Sequence, residues 1–111
     1  MITAERLREL LHYDPTTGVF TNIAPRKKIV VGSVAGSLDQ DSGYWAIGLE
    51  RRRYYAHRLA WLYMTGEWPS QLIDHRDGNR ANNVFTNLRD AERDLHARRQ
   101  LHVPVVDEDR L

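Results

Sequence analysis

The sequence contains no cysteine in its 111 residues. This absence excludes a disulfide framework, a cysteine-ligated zinc site and thiolate catalysis, so a bound metal would need His, Asp, Glu or Asn ligands. Uninterrupted apolar stretches are only a few residues long. We therefore expect neither a membrane span nor a signal peptide, and a cytoplasmic location.

The sequence also lacks a marked excess of either charge, with 16 basic and 15 acidic residues. The acidic residues Asp107, Glu108 and Asp109 crowd the C-terminus, and residues 1–103 hold 15 basic against 12 acidic residues. Clustering of basic residues suits phosphate contacts, although it is equally typical of a solvated surface. The clusters are Arg26-Lys27-Lys28, Arg51-Arg52-Arg53 and Arg98-Arg99.

What is present is ordinary globular composition, with 41% apolar and 28% charged residues. At this length the chain is predicted to form one domain with one core. Thr3 is a candidate N-cap for an amphipathic helix that extends to about His12. A strand is predicted over 19–21, and residues 29–31 are a candidate partner for it.

Residues 44–55 have the alternation of a β-hairpin, with a glycine-free turn around Glu50 to Arg52. Residues 57–65 are apolar almost all round and are followed by Gly66, which predicts a buried helix with a glycine C-cap. His57, at the start of this helix, is predicted to be a structural histidine bonded to backbone.

Asp74 and His75 follow a short apolar approach and are predicted at the end of a strand. A last helix is predicted to start near Asn87, with Leu88, Ala91 and Leu95 as its buried stripe. His96 then lies about 80° around the helix from Leu88 and can face the strand end. Asp74 and His96 could together hold a divalent ion, while His75 points the other way along the strand.

A metal site separate from an unligated histidine suits phosphodiester hydrolysis. A metal with few protein ligands keeps positions open for a phosphate oxygen and the leaving oxygen. An unligated histidine, with a reference pKa of about 6.5, can take the proton of the attacking water. Asn87 would hold the loop, with the imidazole of His75 as a second candidate partner for its amide.

The segment IDHRDGNRANN (residues 73–83), followed by Asn87-Leu88-Arg89 and His96, resembles the HNH endonuclease family. The upstream segment 43–61 is similar to the one that precedes the finger in phage and homing-type members. The resemblance covers about residues 10 to 100. It implies a ββα-metal finger in which His75 is the general base, Asn87 the central asparagine, and Asp74 and His96 the metal ligands.

We therefore predict an α+β fold: a small antiparallel sheet with an N-terminal helix and a C-terminal ββα-metal finger. The single domain is expected over 1–103, with the N-terminal helix and strands in 1–42, the hairpin and buried helix in 43–66, the finger in 70–102, and an acidic tail in 104–111. Many homing-type relatives have Asn where His96 stands, a change that bears on metal preference.

The predicted function is a metal-dependent DNA endonuclease that acts on double-stranded DNA; the sequence leaves the oligomeric state open, with a monomer favoured. One divalent ion is expected, with Mg²⁺ favoured and Mn²⁺ or Zn²⁺ as alternatives. If the protein is phage-encoded, it would act in the host cytoplasm. The DNA-contacting residues are predicted to be Arg26, Lys27, Lys28, Arg51, Arg52, Arg53, Arg76, Arg98 and Arg99.

Two other functions compete with this one: a non-catalytic DNA-binding protein that uses the finger as a scaffold, and a structural phage protein without nucleic acid. The hairpin tip at 51–53 could equally be a solvated loop or a ribbon that reads a DNA groove. The loop asparagines Asn79, Asn82 and Asn83 need only be loop formers.

Overall fold

The computed structural model describes residues 1–70 and 72–91. In this part of the chain the fold is α+β, with two α-helices and short antiparallel sheets. The helices are α1 (Ala4–Leu10) and α2 (Ala56–Thr65). The strands are β1 (Leu11–Asp14), β2 (Val19–Asn22), β3 (Ser37–Leu38), β4 (Trp45–Leu49), β5 (Arg52–Tyr55), β6 (Ile73–His75) and β7 (Leu88–Asp90).

The predicted α+β class is confirmed, but the strands do not form one sheet. They form a β1-β2 pair, a β3-β4-β5 sheet and a β6-β7 pair, all antiparallel. The two strands of the predicted finger are therefore described, whereas the helix expected after them falls on residues outside the described range. No helix in the described residues is long and apolar enough to cross a membrane.

Helix α1 is capped as predicted, because the Thr3 Oγ1 accepts a hydrogen bond from the Arg6 N–H at 3.1 Å. The helix ends at Leu10, however, and not near His12 as predicted. Leu11 begins strand β1 and pairs with Asn22 of β2. The hydrogen bonds between β1 and β2 replace those that a longer helix would have made.

The predicted strand at 19–21 is confirmed, but its predicted partner is wrong. Strand β2 pairs with β1 over its whole length. In the segment proposed as its partner, Ile29 instead makes an isolated bridge to Arg26. A turn centred on residues 15–18 joins the two strands, which makes this local hairpin the closer partner.

The hairpin of β4 and β5 and the helix after it agree with the sequence prediction. The tip residues Glu50 and Arg51 both have positive φ, 51° and 68°, which is the backbone of a type I′ turn built without glycine. Helix α2 starts directly after β5 and ends at Gly66, which has a φ of 83° and donates its N–H to the Leu62 carbonyl.

One core holds these elements together. Helices α1 and α2 pack on each other and on the inner faces of the two N-terminal sheets. Its largest fully buried side chains are Tyr13, Phe20, Leu7, Leu11, Ile47, Leu49, Leu59 and Leu62. Ile73 of β6 and Leu88 of β7 belong to the same cluster, so the C-terminal strand pair is anchored to the core on one face.

The last predicted helix does not start near Asn87. Asn87 closes a short 3-10 turn, Phe85–Asn87, and Leu88 begins strand β7. A helical residue is first assigned at Ala91. The angle derived for His96 relative to Leu88 therefore fails, because the two residues do not share one helix.

Candidate functional site

Asp74 and His75 are held by the pairing of two short strands. Asp74 lies opposite Arg89, and His75 lies opposite Leu88. Because side chains alternate along a strand, the two neighbours face in different directions. Asp74 is partly exposed, whereas His75 is only 6% exposed.

The imidazole of His75 is oriented by Asn83, which is itself buried. The His75 Nε2 lies 3.0 Å from the Asn83 Oδ1. An amide oxygen can only accept, so this contact requires a proton on Nε2 and leaves the lone pair of the neutral ring on Nδ1. Nδ1 makes no hydrogen bond within the described residues.

Asn87 fixes the loop and not the imidazole. Its Nδ2 donates to the Asn82 carbonyl at 2.8 Å and to the Asp77 Oδ1 at 3.0 Å, and its Oδ1 accepts from the Asp77 N–H at 3.1 Å. The alternative partner considered for Asn87, the ring of His75, is bound by Asn83 instead.

Asp77 is the centre of this loop network. It accepts hydrogen bonds from the Asn82 side chain and the Asn79 N–H as well as from Asn87. These bonds, the one from Asn82 foremost, hold the pKa of the Asp77 carboxyl below its usual value. The loop between β6 and β7 is thus tied at both ends.

Strand β1 and the turn after it contact the same loop. The Tyr13 hydroxyl donates to the Asn83 carbonyl, and the Phe85 N–H donates to the Pro15 carbonyl at 2.9 Å. Gly18 has a φ of 77°, and a Cβ there would lie 2.4 Å from the Asn83 carbonyl carbon. Only glycine lets the turn approach Asn83 so closely.

Two rings lie near the imidazole of His75. The ring of His57 meets it edge-on at 5.1 Å between centroids, and the ring of Tyr44 lies 6.0 Å away. Tyr44 also packs on His57 and Tyr55, at 4.8 Å and 4.9 Å. The residue before β4 and the first turn of α2 therefore each place a ring near the ring of His75, in addition to the contact with Asn83.

His57 is buried, but the hydrogen bond to backbone that the sequence predicts is not found within the described residues. Its Nδ1 has no partner within the described residues. Burial, together with the nearby His75 and Arg58, lowers the pKa of His57 to about 3. The imidazole is therefore neutral at physiological pH.

A cleft of about 400 Å³ opens beside Asp74 and His75. Its described lining is Tyr44, Leu72, Ile73, Asp74, His75, Gly78, Arg80 and Ala91. The lining residues thus include one with a carboxylate, one with an imidazole and one with a guanidinium.

The donor set of the cleft fits a divalent ion in part. The Asp74 Oδ2 accepts from Arg89, and no hydrogen bond occupies its Oδ1 within the described residues. A carboxylate oxygen suits Mg²⁺ or Mn²⁺. Across residues 1–70 and 72–91 there is no group of three or more potential metal-ligating side chains. His96, the second predicted ligand, lies outside the described residues.

The first basic cluster predicted to contact DNA is 26–28. Arg26 is half-buried and donates to the Asn22 Oδ1 at 3.1 Å, whereas Lys27 and Lys28 are exposed. Arg76, at the start of the loop after β6, is also exposed.

The second cluster, 51–53, is exposed at the tip of the β4-β5 hairpin. Arg53 lies 3.4 Å from the carboxylate of Asp39. Arg52 is about 10 Å along β5 from Tyr55, the end of the strand that adjoins His57. None of the three arginines is among the described residues that line the cleft. Arg98 and Arg99 lie outside the described residues.

Sequence reasoning missed three residues of the site. The sequence predicts only a loop former at Asn83 and only the start of a hairpin at Tyr44, and it assigns no role to Arg80. The signal for Asn83 was its place eight residues after His75 in an asparagine-rich loop, which is weak without the fold.

Comparison with known proteins bears on the same region. Residues 54–98 match the HNH endonuclease family. No curated protein and no solved structure matches the chain. The matched segment covers the end of β5 and all of α2, β6 and β7, and it includes His57, His75, Arg80 and Asn83. This match confirms the resemblance predicted from the sequence, and places the similarity to the HNH endonuclease family in residues 54–98.

Proposed function

We propose that the chain is a metal-dependent DNA endonuclease in which His75 is the general base. The observation that carries this proposal is that His75 lines an open cleft and its Nε2 is hydrogen-bonded to Asn83. The lone pair on Nδ1 is therefore available to accept a proton. The family match at residues 54–98 supports nuclease chemistry and a DNA substrate.

In the proposed reaction, His75 takes a proton from a water molecule through Nδ1 as the water oxygen attacks phosphorus. The phosphorus–oxygen bond to the leaving group then breaks. The contact with Asn83 keeps the second proton of the resulting imidazolium in place, because Nε2 stays a donor throughout. Tyr44 and His57 restrict rotation of the ring, so that the base keeps one orientation.

Asp74, through its Oδ1, and His96 are the proposed metal ligands, with Mg²⁺ as the favoured ion. When bound, a divalent ion supplies Lewis-acid stabilisation of the negative charge that develops on the phosphate and the leaving oxygen. Asn87 is proposed to act by fixing the loop that carries Asn83. The basic clusters, Arg76, Arg98 and Arg99 remain proposed DNA contacts, and a single domain over 1–103 remains the proposed organisation.

The test is cleavage of supercoiled plasmid by the purified chain, with Mg²⁺, with Mn²⁺ and with chelator. We expect nicked or linear DNA with metal only. His75→Ala should lower the rate by about 10²- to 10⁴-fold while DNA affinity stays near wild type, because the substitution removes the base. His12→Ala, an exposed histidine on β1, is the matched control.

Two outcomes would contradict the proposal. Wild-type rates in His75→Ala would remove His75 from the mechanism. DNA binding by the wild-type chain without conversion of plasmid in either metal would favour the non-catalytic DNA-binding protein.

A further inference from the structure

Arg80 is held in a defined position beside the cleft, although it is exposed. Its guanidinium carbon lies 5.2 Å from the centroid of the Tyr44 ring, and its Nη1 donates to the Ser42 carbonyl at 2.8 Å. The cation–π contact and the hydrogen bond join the loop after β6 to the β3-β4 connection. They order a side chain that would otherwise sample many rotamers.

The fixed guanidinium keeps hydrogen-bonding capacity. In residues 1–70 and 72–91, Arg80 makes no ion pair, in contrast to Arg6, Arg53 and Arg89, each of which lies against a carboxylate. Nη1 is bonded to a neutral carbonyl, so Nε and Nη2 remain available. Two such donors in one plane match two oxygens of a phosphate.

The charge distribution of the cleft indicates what this cation faces. Among the described residues that line the cleft, Arg80 is the one with a permanent positive charge, and Asp74 is already paired with Arg89. A phosphodiester that enters beside His75 would meet the unpaired guanidinium within the same 400 Å³ space.

We propose that Arg80 binds the non-bridging oxygens of the DNA phosphate that lies in the cleft beside His75. This inference rests on the proposed endonuclease function and deepens it by naming a residue that holds the substrate. Tyr44 acts as the positioning residue for Arg80. The contact supports affinity for any DNA sequence, because a phosphate carries no sequence information.

The chain offers a closely matched control in Arg8. Its guanidinium also lies over a tyrosine ring, that of Tyr63, at 5.7 Å, and also donates to a backbone carbonyl, that of Tyr63 at 2.6 Å. Arg8 is on α1 and lines no part of the cleft. Arg80→Ala and Arg8→Ala thus remove the same charge and the same kinds of contact.

The experiment measures binding of a short DNA duplex by fluorescence anisotropy at several salt concentrations, in a His75→Ala background. We expect Arg80→Ala to reduce the slope of log affinity against log salt by about 0.9, the value for one phosphate contact. Arg8→Ala should keep the full slope. In otherwise wild-type protein, Arg80→Ala should lower kcat/KM for plasmid cleavage at least tenfold, and Arg80→Lys should recover part of this loss.

The outcomes separate this inference from the proposed function. A wild-type chain that neither cleaves nor binds DNA overturns both. A chain that cleaves, with wild-type rate and slope in Arg80→Ala, overturns the role of Arg80 alone. A loss of activity with an unchanged slope, and with a melting temperature lowered as in Arg8→Ala, would make Arg80 a structural tether and also overturn the inference.

Discussion

The role proposed for His75 depends on which of its two ring nitrogens carries the proton. The Asn83 Oδ1, at 3.0 Å from Nε2, selects the tautomer with the lone pair on Nδ1. Asn83 is 3% exposed, so water cannot easily replace the amide as acceptor. An asparagine to which the sequence assigns only a loop-forming role therefore decides whether the base is ready to accept a proton.

We predict that Asn83→Leu lowers the single-turnover cleavage rate by about 10- to 100-fold, as expected for loss of a hydrogen bond that orients a functional side chain. Asn83→Asp should retain more activity, because a carboxylate oxygen still accepts from Nε2. The main-chain contacts of Asn83 with Tyr13 persist in both variants.

Asn79→Ala is the control for this pair of variants, since the Asn79 side chain serves only its own loop, where it accepts from the Ala81 N–H. Equal rates for Asn83→Leu and Asn79→Ala, at equal melting temperature, would show that Asn83 does not act through His75.

The sequence contains the chemistry of the site but not its internal contacts. Asp74 and His75 could be singled out because a carboxylate and an imidazole follow a short apolar strand. Asn79, Asn82 and Asn83 could not be told apart, because all three have the same local preference for turns. Only the buried position of Asn83 against His75 distinguishes it.

The turn between β1 and β2 links the N-terminal hairpin to the candidate site. Gly18 faces the backbone of Asn83 and Val84, where a Cβ would lie within 2.5 Å. Gly32 has a similarly positive φ of 94°, but a Cβ there would meet nothing within 4 Å. An alanine at Gly32 would add only backbone strain, whereas an alanine at Gly18 would add the same strain and a clash with the site. Comparing the two substitutions therefore distinguishes the two effects.

We predict that Gly18→Ala lowers the free energy of unfolding by on the order of 3 kcal/mol, since it combines left-handed backbone strain with a clash against backbone. Gly32→Ala should cost about 1 kcal/mol, because only the strain applies. Urea denaturation measures both. Cleavage by the folded fraction should fall in Gly18→Ala alone, and equal destabilisation of the two variants would show that the turn does not pack on the loop.

The sequence predicts the elements that have a clear local pattern of apolar residues or a glycine cap. It does not predict the strand that depends on pairing with another part of the chain. The β4-β5 hairpin and α2 follow from alternation and from Gly66. The sequence predicts the start of a helix where β7 lies, because Leu88 and Ala91 have helical spacing and a strand of three residues is too short to show the alternation of a strand. Its pairing with β6 overrides that spacing.

The candidate site is assembled from distant parts of the chain. Tyr44 lies next to β4, His57 lies in the first turn of α2, His75 ends β6, and Asn83 lies in the following loop. No segment alone can hold these rings together, so the site exists only in the folded chain. Conditions that weaken the fold should therefore act on the site as well, and pH is the clearest of them.

The buried His57 makes folding depend on pH. Burial, and then the neighbouring His75 and Arg58, lower its pKa in the folded chain to about 3, against 6.5 for the ordinary side chain. Above pH 6.5 both folded and unfolded chains hold a neutral imidazole, and its contribution to stability is fully present. As the pH falls below 6.5, His57 binds a proton in the unfolded chain but not in the folded chain. The free energy of unfolding therefore decreases until about pH 3.

For one such group the free energy of unfolding should fall by up to about 1.4 kcal/mol per pH unit within this window. The prediction is checked by urea denaturation between about pH 7 and about pH 4.5, a range chosen to stay above the titration of the carboxylates of Asp14, Asp39 and Asp77, whose pKa values are lowered by hydrogen bonds. His57→Phe keeps a ring against Tyr44 and Tyr55 but cannot take up a proton, so its stability should change less with pH than that of wild type. His12→Gln, which removes an exposed histidine, is the control. A wild-type pH dependence in His57→Phe would show that the acid sensitivity of the fold arises from another group.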